Sequence, residues 1–442
     1  MFPFAEISLA ILRQIPRALF DPGNFFVFWL AALIVFWQYR RVAETERRLF
    51  GVVKNDPGRQ MVRAILEGLV GGLMGSFVLV FIGVSLSNAG INYVVVIALL
   101  LMIISPRLVC FSYAGGIVSI FSLLVGWPKI DIPGLMGLVA VLHITESLLI
   151  RLFGTGAATP VYARRRQGDL VGGYMLQRFW PIPIVILLLV FLQRPAPTGL
   201  ISMPDWWPLI RPMGQVADNP NFIYTLLPVV AILGYGDLAV TSTPAARTRK
   251  TSGALMLYSV ALLAISIVAS RLPALVWLAA FFAPFGHELV VRWGSRQEQE
   301  GAPVLVTQPG AGAGVLDVVP GSPAARAGLR AGDVVVDLGG ATVTGRDDLF
   351  QALETLAGGD PARLRGMAIT VRRGGSAGGR GEGAAAMGGG NLHEFRAPSQ
   401  WDPGKMFGLI LMPDENDSEH IEMRPRDRWA RVFDWLKRTF RF

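Results

Sequence analysis

R-W-G-S-R-Q-E-Q-E-G, residues 292–301, divides this chain into two parts that face different solvents. Before it run long apolar stretches such as 25–37 and 93–104, and after it the apolar runs shorten to strand length between turn residues. Composition agrees with the division. Hydrophobic residues are 52% and charged residues 17% of the 442, with a mean hydropathy of +0.46, against about 45–50% and about 25% in an average soluble domain. The apolar excess lies almost entirely before residue 291. The expected fold class is a membrane all-α helical bundle of about eight to nine transmembrane helices, over 1–291, followed by a small α+β domain over 303–413.

A helix crosses the hydrocarbon with about 20 apolar residues, in a range of about 17–25. Nine runs qualify with their flanks: 19–38, 65–86, 91–105, 108–126, 133–151, 179–193, 222–241, 254–271 and 273–291. Residues 1–20 contain Pro3, Glu6, Arg13, Pro16 and Arg17, which suits an interfacial lead-in helix and not a signal peptide. Basic residues mark the sides. Arg40, Arg41, Arg47, Arg48, Lys54, Arg59 and Arg63 follow the first run, Arg164 to Arg166 the fifth, and Arg247, Arg249 and Lys250 the seventh, while the alternate connections are nearly free of them. Cytoplasmic loops collect Lys and Arg, so the expectation is a multi-pass cell-membrane protein with its N-terminus outside and its C-terminal domain cytoplasmic. The net charge of +9 is accounted for by these loops facing anionic lipid, and no nucleic-acid partner is expected. Trp206 and Trp207 suit an interfacial aromatic belt.

Ionisable residues within spans are costly and raise the question of function. His143 and Glu146 lie three apart, and His287 and Glu288 adjoin. An intramembrane zinc protease needs H-E-x-x-H, two histidines on one helical face with a glutamate to activate water. Here the run is His287, Glu288, Leu289, Val290, Val291, without the second ligand. A composite site of His143, Glu146 and His287 is the remaining metal arrangement. The simpler reading is that these groups snorkel beside Arg151 and Arg292, as Asp237 does near the inner end of its run. No catalytic set, metal or cofactor is expected. The single cysteine, Cys110, excludes an intrachain disulfide. G-G-L-M-G-S at 71–76 reads as close helix packing, with a broken transporter helix as the alternative.

In the second part, 304–306, 315–319, 333–338 and 369–372 read as strands, and 347–356 as a helix with Leu349, Phe350, Leu353 and Leu356 on one face. The run G-V-L-D-V-V-P-G-S-P-A-A-R-A-G-L-R-A-G-D-V-V-V-D-L at 314–338 resembles the core of a bacterial PDZ domain. That resemblance implies a peptide cleft. Val315, Leu316, Asp317 and Val318 would form the edge that accepts a peptide as an added strand, and the helix bearing Leu349 and Leu353 the opposite wall. Gly310, Gly312 and Gly314 would shape the loop whose amides cradle a terminal carboxylate, although it departs from G-L-G-F and an internal segment is the alternative ligand. The Gly-rich stretch 374–392 reads as a disordered insert, and M-F-G-L-I-L-M-P at 406–413 as a strand that could close the domain's sheet after it. Residues 424–442 read as a basic amphipathic helix that lies on anionic membrane lipid.

Many membrane runs followed by this domain, with G-Y-G-D-L at 234–238, F-F-A-P-F-G-H-E at 281–288 and L-I-L-M-P-D at 409–414, resemble the MinJ-type proteins of Gram-positive bacteria. The resemblance implies an adaptor that bridges a curvature-sensing coiled-coil protein and the Min division inhibitor. Its partners would be a protein or peptide in the cleft, membrane lipids, and cell-division or polar-localisation proteins. A degenerate site-2-protease-like protein and a transporter with a regulatory PDZ domain are the alternatives.

Overall fold

The computed structural model describes residues 2–165, 167–191, 200–212, 222–305, 311–358, 361–373, 391–398, 407–414 and 421–423. The first part opens with α1 (Phe4–Phe20), α2 (Pro22–Phe50), α3 (Pro57–Ile82), α4 (Ile91–Ile104), α5 (Phe111–Val125) and α6 (Ile132–Phe153). Strands β1 (Ala158–Arg164), β2 (Leu170–Phe191) and β3 (Phe222–Ala239) follow, then α7 (Pro244–Ala269) and α8 (Val276–Glu300), which runs past residue 291 into the boundary stretch. Among the described residues, five helices are long and apolar enough to cross a membrane: α2, α3, α6, α7 and the unit 273–300 that contains α8. Two apolar helices, α4 and α5, are shorter.

The runs expected as helices at 179–193 and 222–241 are not helical over 179–191 and 222–241, and residues 192–193 lie outside the described residues. They form β2 and β3, paired antiparallel from Tyr174↔Ala239 to Phe191↔Phe222. Pro181, Pro183 and Pro228 explain why, because proline removes a helical hydrogen bond and clashes with the preceding turn. An all-helical first part is therefore corrected to helices packed around a long β-hairpin.

A strand edge in apolar surroundings leaves amides and carbonyls without water, at several kcal/mol each. On the side of β2 away from β3 these groups are met one after another. Phe179 exchanges bonds with the Tyr39 hydroxyl (N–H donor 3.2 Å, carbonyl acceptor 3.1 Å). Pro181 and Pro183 have no N–H, and their carbonyls lie against Gly68 and Gly72 of α3, where an added Cβ would stand 2.3 and 2.0 Å from the oxygens. The Val185 amide donates to Ser76 Oγ at 2.8 Å. The Leu187 carbonyl accepts from Leu86 N–H at 2.8 Å, and the Leu189 amide donates to Ser87 Oγ at 2.7 Å. The glycines of 71–76 thus serve close approach, with Gly71 against Leu149 and Gly75 against Thr145 and Ile184.

The second part holds β4 (Ala313–Val318), α9 (Pro323–Ala327), β5 (Val334–Leu338), β6 (Ala341–Thr342), α10 (Arg346–Ala357), β7 (Ala368–Arg373), β8 (Asn391–Arg396) and β9 (Leu409–Leu411). Its sheet runs β8-β7-β5-β4-β9, with β6 beside β5. Val315, Val335, Leu338, Leu349, Ile369, Val371 and Leu411 form its core. No strand forms over 301–305. Residues 374–390 and 424–442 lie outside the described residues, while Asn391 and Leu392, expected in the insert, belong to β8. A last strand, β10 (Ile421–Glu422), returns to pair parallel with β1 in the first part.

Candidate functional site

The peptide-accepting edge is not where the sequence pointed. β4 is an inner strand, with β5 on one side and β9 on the other. Val315 and Val318 belong to the domain core, Leu316 is fully buried against Gly172 of β2, and Asp317 is ion-paired with Lys54 at 2.5 Å. None of the four is open to an added strand. Gly312 adopts φ +120° and packs where a Cβ would stand 2.4 Å from the Val335 carbonyl oxygen. Gly314 lies in β4, its carbonyl accepting from Met412 N–H, and Gly310 lies outside the described residues. The physical reason is that the 406–413 stretch, far along the chain, takes the place beside β4.

That makes β9 the edge. Its pairs are Val315↔Leu411, Asp317↔Ile410 and Val318↔Leu409. The amide and carbonyl of Val315 are spent on Gly332 and Asp333, away from β9, so the groups of its partner Leu411 point outward, and by alternation those of Leu409 do too. The approach to the strand is shaped by Gly408 at φ +85°. The Phe407 carbonyl accepts from Ala324 N–H at 3.1 Å and the Gly408 carbonyl from Val319 N–H at 2.9 Å. In a trans peptide the N–H opposes the C=O. The Gly408 and Leu409 amides therefore each point away from the group their preceding carbonyl meets, as two successive donors of the kind that can bind an anion. A Cβ on Gly408 would stand 2.2 Å from Ser322 Cβ, so the turn is closed to larger residues.

α10 stands across from this edge. Leu349 is buried and Leu353 half-buried on the same core as Leu409 and Leu411, and Arg346 at its start reaches Asp414 beyond β9 at 3.9 Å. Asp348 accepts from the Thr344 amide and hydroxyl at the head of α10, and these bonds hold its carboxyl below the usual range. The helix expected to carry Leu349 and Leu353 is thus present, packed on β4 and β5 and sharing one core with β9.

The first part touches the site directly. The Tyr162 hydroxyl of β1 donates to the Leu411 carbonyl at 3.0 Å, and Tyr174 of β2 donates to the Leu316 carbonyl at 2.7 Å. With Lys54 and Asp317, these bonds seat the domain on the sheet beneath it.

The polar residues of the spans separate into two groups. Glu288 accepts from Arg107 and Tyr113, each at 2.6 Å, and from Arg292 at 2.7 Å. Asp237 holds Arg247 through paired bonds of 2.8 Å and accepts from Thr251 at 2.6 Å. His143 and His287 instead face one another, with ring centroids 5.2 Å apart, and Cys110 joins them, whereas Glu146 contributes no ligand atom to that group. Sequence reasoning also passed over the buried Arg178–Glu67 pair, to which Gln60 and Trp180 are hydrogen-bonded. Its signal was a lone glutamate inside the run 65–86 and an arginine directly before the run 179–193.

Residues 314–365 match the PDZ domain family. The chain is similar to the cell division topological determinant MinJ of Bacillus subtilis (strain 168), at 22% identity over 228 residues. The match covers 52% of this chain and 52% of that protein, so the chain spans about half the length of the curated relative it matches. No solved structure matches the chain. Together they describe a MinJ-like PDZ protein with several long apolar helices.

Proposed function

From a MinJ-like PDZ protein with apolar helices we infer a multi-pass membrane adaptor that holds the C-terminal peptide of a partner protein along β9. The observation that carries this reading is the pair of outward amides at Gly408 and Leu409, at the start of an edge strand opposite α10. A peptide added antiparallel to β9 would place its carboxylate at those amides and its side chains between Leu409 and Leu353. The basic connections support a cytoplasmic position for the domain, and the basic stretch 424–442 supports contact with anionic lipid. Similarity to a protein named for cell-division topology supports a partner among division or pole-localised proteins. The adaptor is proposed to be non-enzymatic. Val291 replaces a histidine, and three donors hold the carboxylate that a protease would use on water.

The test uses the full chain in lipid nanodiscs against a display library of random peptides with free C-termini. Selected peptides are expected to bind at least about tenfold more weakly when amidated, a loss of about 1.4 kcal/mol, and to lose binding to Gly408→Ala. Equal capture by the parent chain and Gly408→Ala, or indifference to amidation, would overturn the carboxylate reading.

A further inference from the structure

Three side chains from distant parts of the sequence converge inside the first part. Cys110 immediately precedes α5, His143 lies in α6 and His287 in α8. Cys110 Sγ is 3.2 Å from His143 Nε2 and 3.8 Å from His287 Nε2, and the three ligand atoms all lie within 4.8 Å of one another. A zinc ion takes a thiolate at about 2.3 Å and an imidazole at about 2.0–2.1 Å, and tetrahedral angles then separate sulfur from nitrogen by about 3.5 Å. The two observed separations bracket that value.

The surroundings favour a ligand over a simple hydrogen-bonded cluster. His143 Nδ1 lies 2.8 Å from the Val139 carbonyl, which accepts, so Nδ1 carries the proton and Nε2 presents its lone pair toward the sulfur. Orientation by a backbone carbonyl is how metal-bound histidines are commonly held. The sulfur accepts from Ser112 N–H at 3.4 Å at the N-terminal end of α5, where helix amides suit a negative ligand. His287 Nδ1 is buried with no hydrogen-bond partner. A thiol has one proton and can donate it to one imidazole. It would satisfy His143 and leave the His287 ring without a hydrogen bond at Nδ1 and with only the longer sulfur contact at Nε2. One ion takes the thiolate and the Nε2 lone pairs of both rings together, although the His287 Nδ1–H keeps no acceptor.

The flanking tyrosines are walls. Tyr113 and Tyr258 meet the His287 ring edge-on at 5.1 and 5.7 Å, while their hydroxyls are spent on Glu288 and on Ser112 and the Ala283 carbonyl.

We propose that Cys110, His143 and His287 form a binding site for a divalent ion of the zinc class, tying the start of α5 to α6 and α8. Binding converts the Cys110 thiol to a thiolate and releases its proton to solvent, so affinity rises with pH. Soft sulfur with two imidazoles selects zinc-like ions over magnesium or calcium. Three protein ligands leave a fourth position on the ion.

The experiment measures zinc by mass spectrometry on the full chain purified in detergent, before and after stripping with chelator and reloading. About one zinc per chain is expected. Cobalt loading should give a thiolate charge-transfer band in the near ultraviolet that Cys110→Ser removes. Cys110→Ser, His143→Gln and His287→Gln should each weaken zinc by more than the about 10–100-fold that loss of an outer-shell partner costs. A folded, stripped chain that takes up no zinc overturns the proposal, as does uptake unchanged in the Cys110→Ser/His287→Gln double variant. If the variants do not fold, X-ray absorption at the zinc edge of the parent chain decides. One sulfur with two imidazole nitrogens supports the site, and a shell without sulfur overturns it. Neither result depends on whether the PDZ-like domain binds peptide.

Discussion

The chain has two strand edges that meet opposite treatment. Along β2, in the apolar first part, amides and carbonyls from Phe179 to Leu189 are met by Tyr39, Gly68, Gly72, Ser76, Leu86 and Ser87 or removed by proline. Along β9, in the second part, the Gly408 and Leu409 amides are turned outward, and the Leu411 carbonyl meets one tyrosine. The difference follows the solvent. Water can hold an open amide until a ligand displaces it, while an apolar environment offers nothing, so an edge there must be closed by the protein.

The largest expected effect breaks the closed edge outright. Gly72→Ala places a methyl 2.0 Å from the Pro183 carbonyl oxygen, which is backbone and cannot rotate away. Separation of α3 from β2 should cost more than about 3 kcal/mol, read as loss of monodisperse chain in detergent gel filtration. A smaller loss is expected from Ser76→Ala, which leaves the Val185 amide buried and unpaired. About 1–3 kcal/mol is expected, seen as a lower midpoint in thermal unfolding, and an unchanged midpoint would show that the edge does not need its serine.

Two predictions sharpen the open edge. Tyr162→Phe frees the Leu411 carbonyl for a ligand strand. With one hydrogen bond worth about 0.5–1.5 kcal/mol, affinity for a selected peptide should rise about two- to tenfold, and a fall would mean that Tyr162 helps to hold the ligand. The smallest effect is a pH dependence at α10. The Asp348 carboxyl is held below its ordinary value by Thr344, so its contribution is full above the unfolded value of about 3.9 and is lost as pH falls through the lower folded value. Peptide affinity should weaken below about pH 4 in the parent chain and lose that component in Asp348→Asn, measured by fluorescence polarisation.

Legibility in the sequence followed the range of the interactions. The strands around Val315 and Val335 and the helix carrying Leu349 and Leu353 were readable, because each is set by near neighbours. The hairpin was not. Strands buried on both faces lack the alternation that marks a half-buried strand, and length alone favours a helix. Pro181 and Pro183, two apart inside one apolar run, were the available signal. The binding edge was misplaced because β9 reaches β4 from across the Gly-rich stretch, although 406–413 had been read as a strand. Cys110 drew no attention as a lone cysteine. It stands 33 residues from His143 and 177 from His287, and no local pattern relates the three.

By itself the sequence determined which segments are long and apolar and that a PDZ-like core follows them, since hydrophobicity and turn formation belong to each segment alone. Only the tertiary structure decided which strand lies at the edge, which amides stay open and which side chains converge on Cys110. Those depend on what each backbone group and ligand atom finds beside it once distant segments have packed, and every buried polar group must find something.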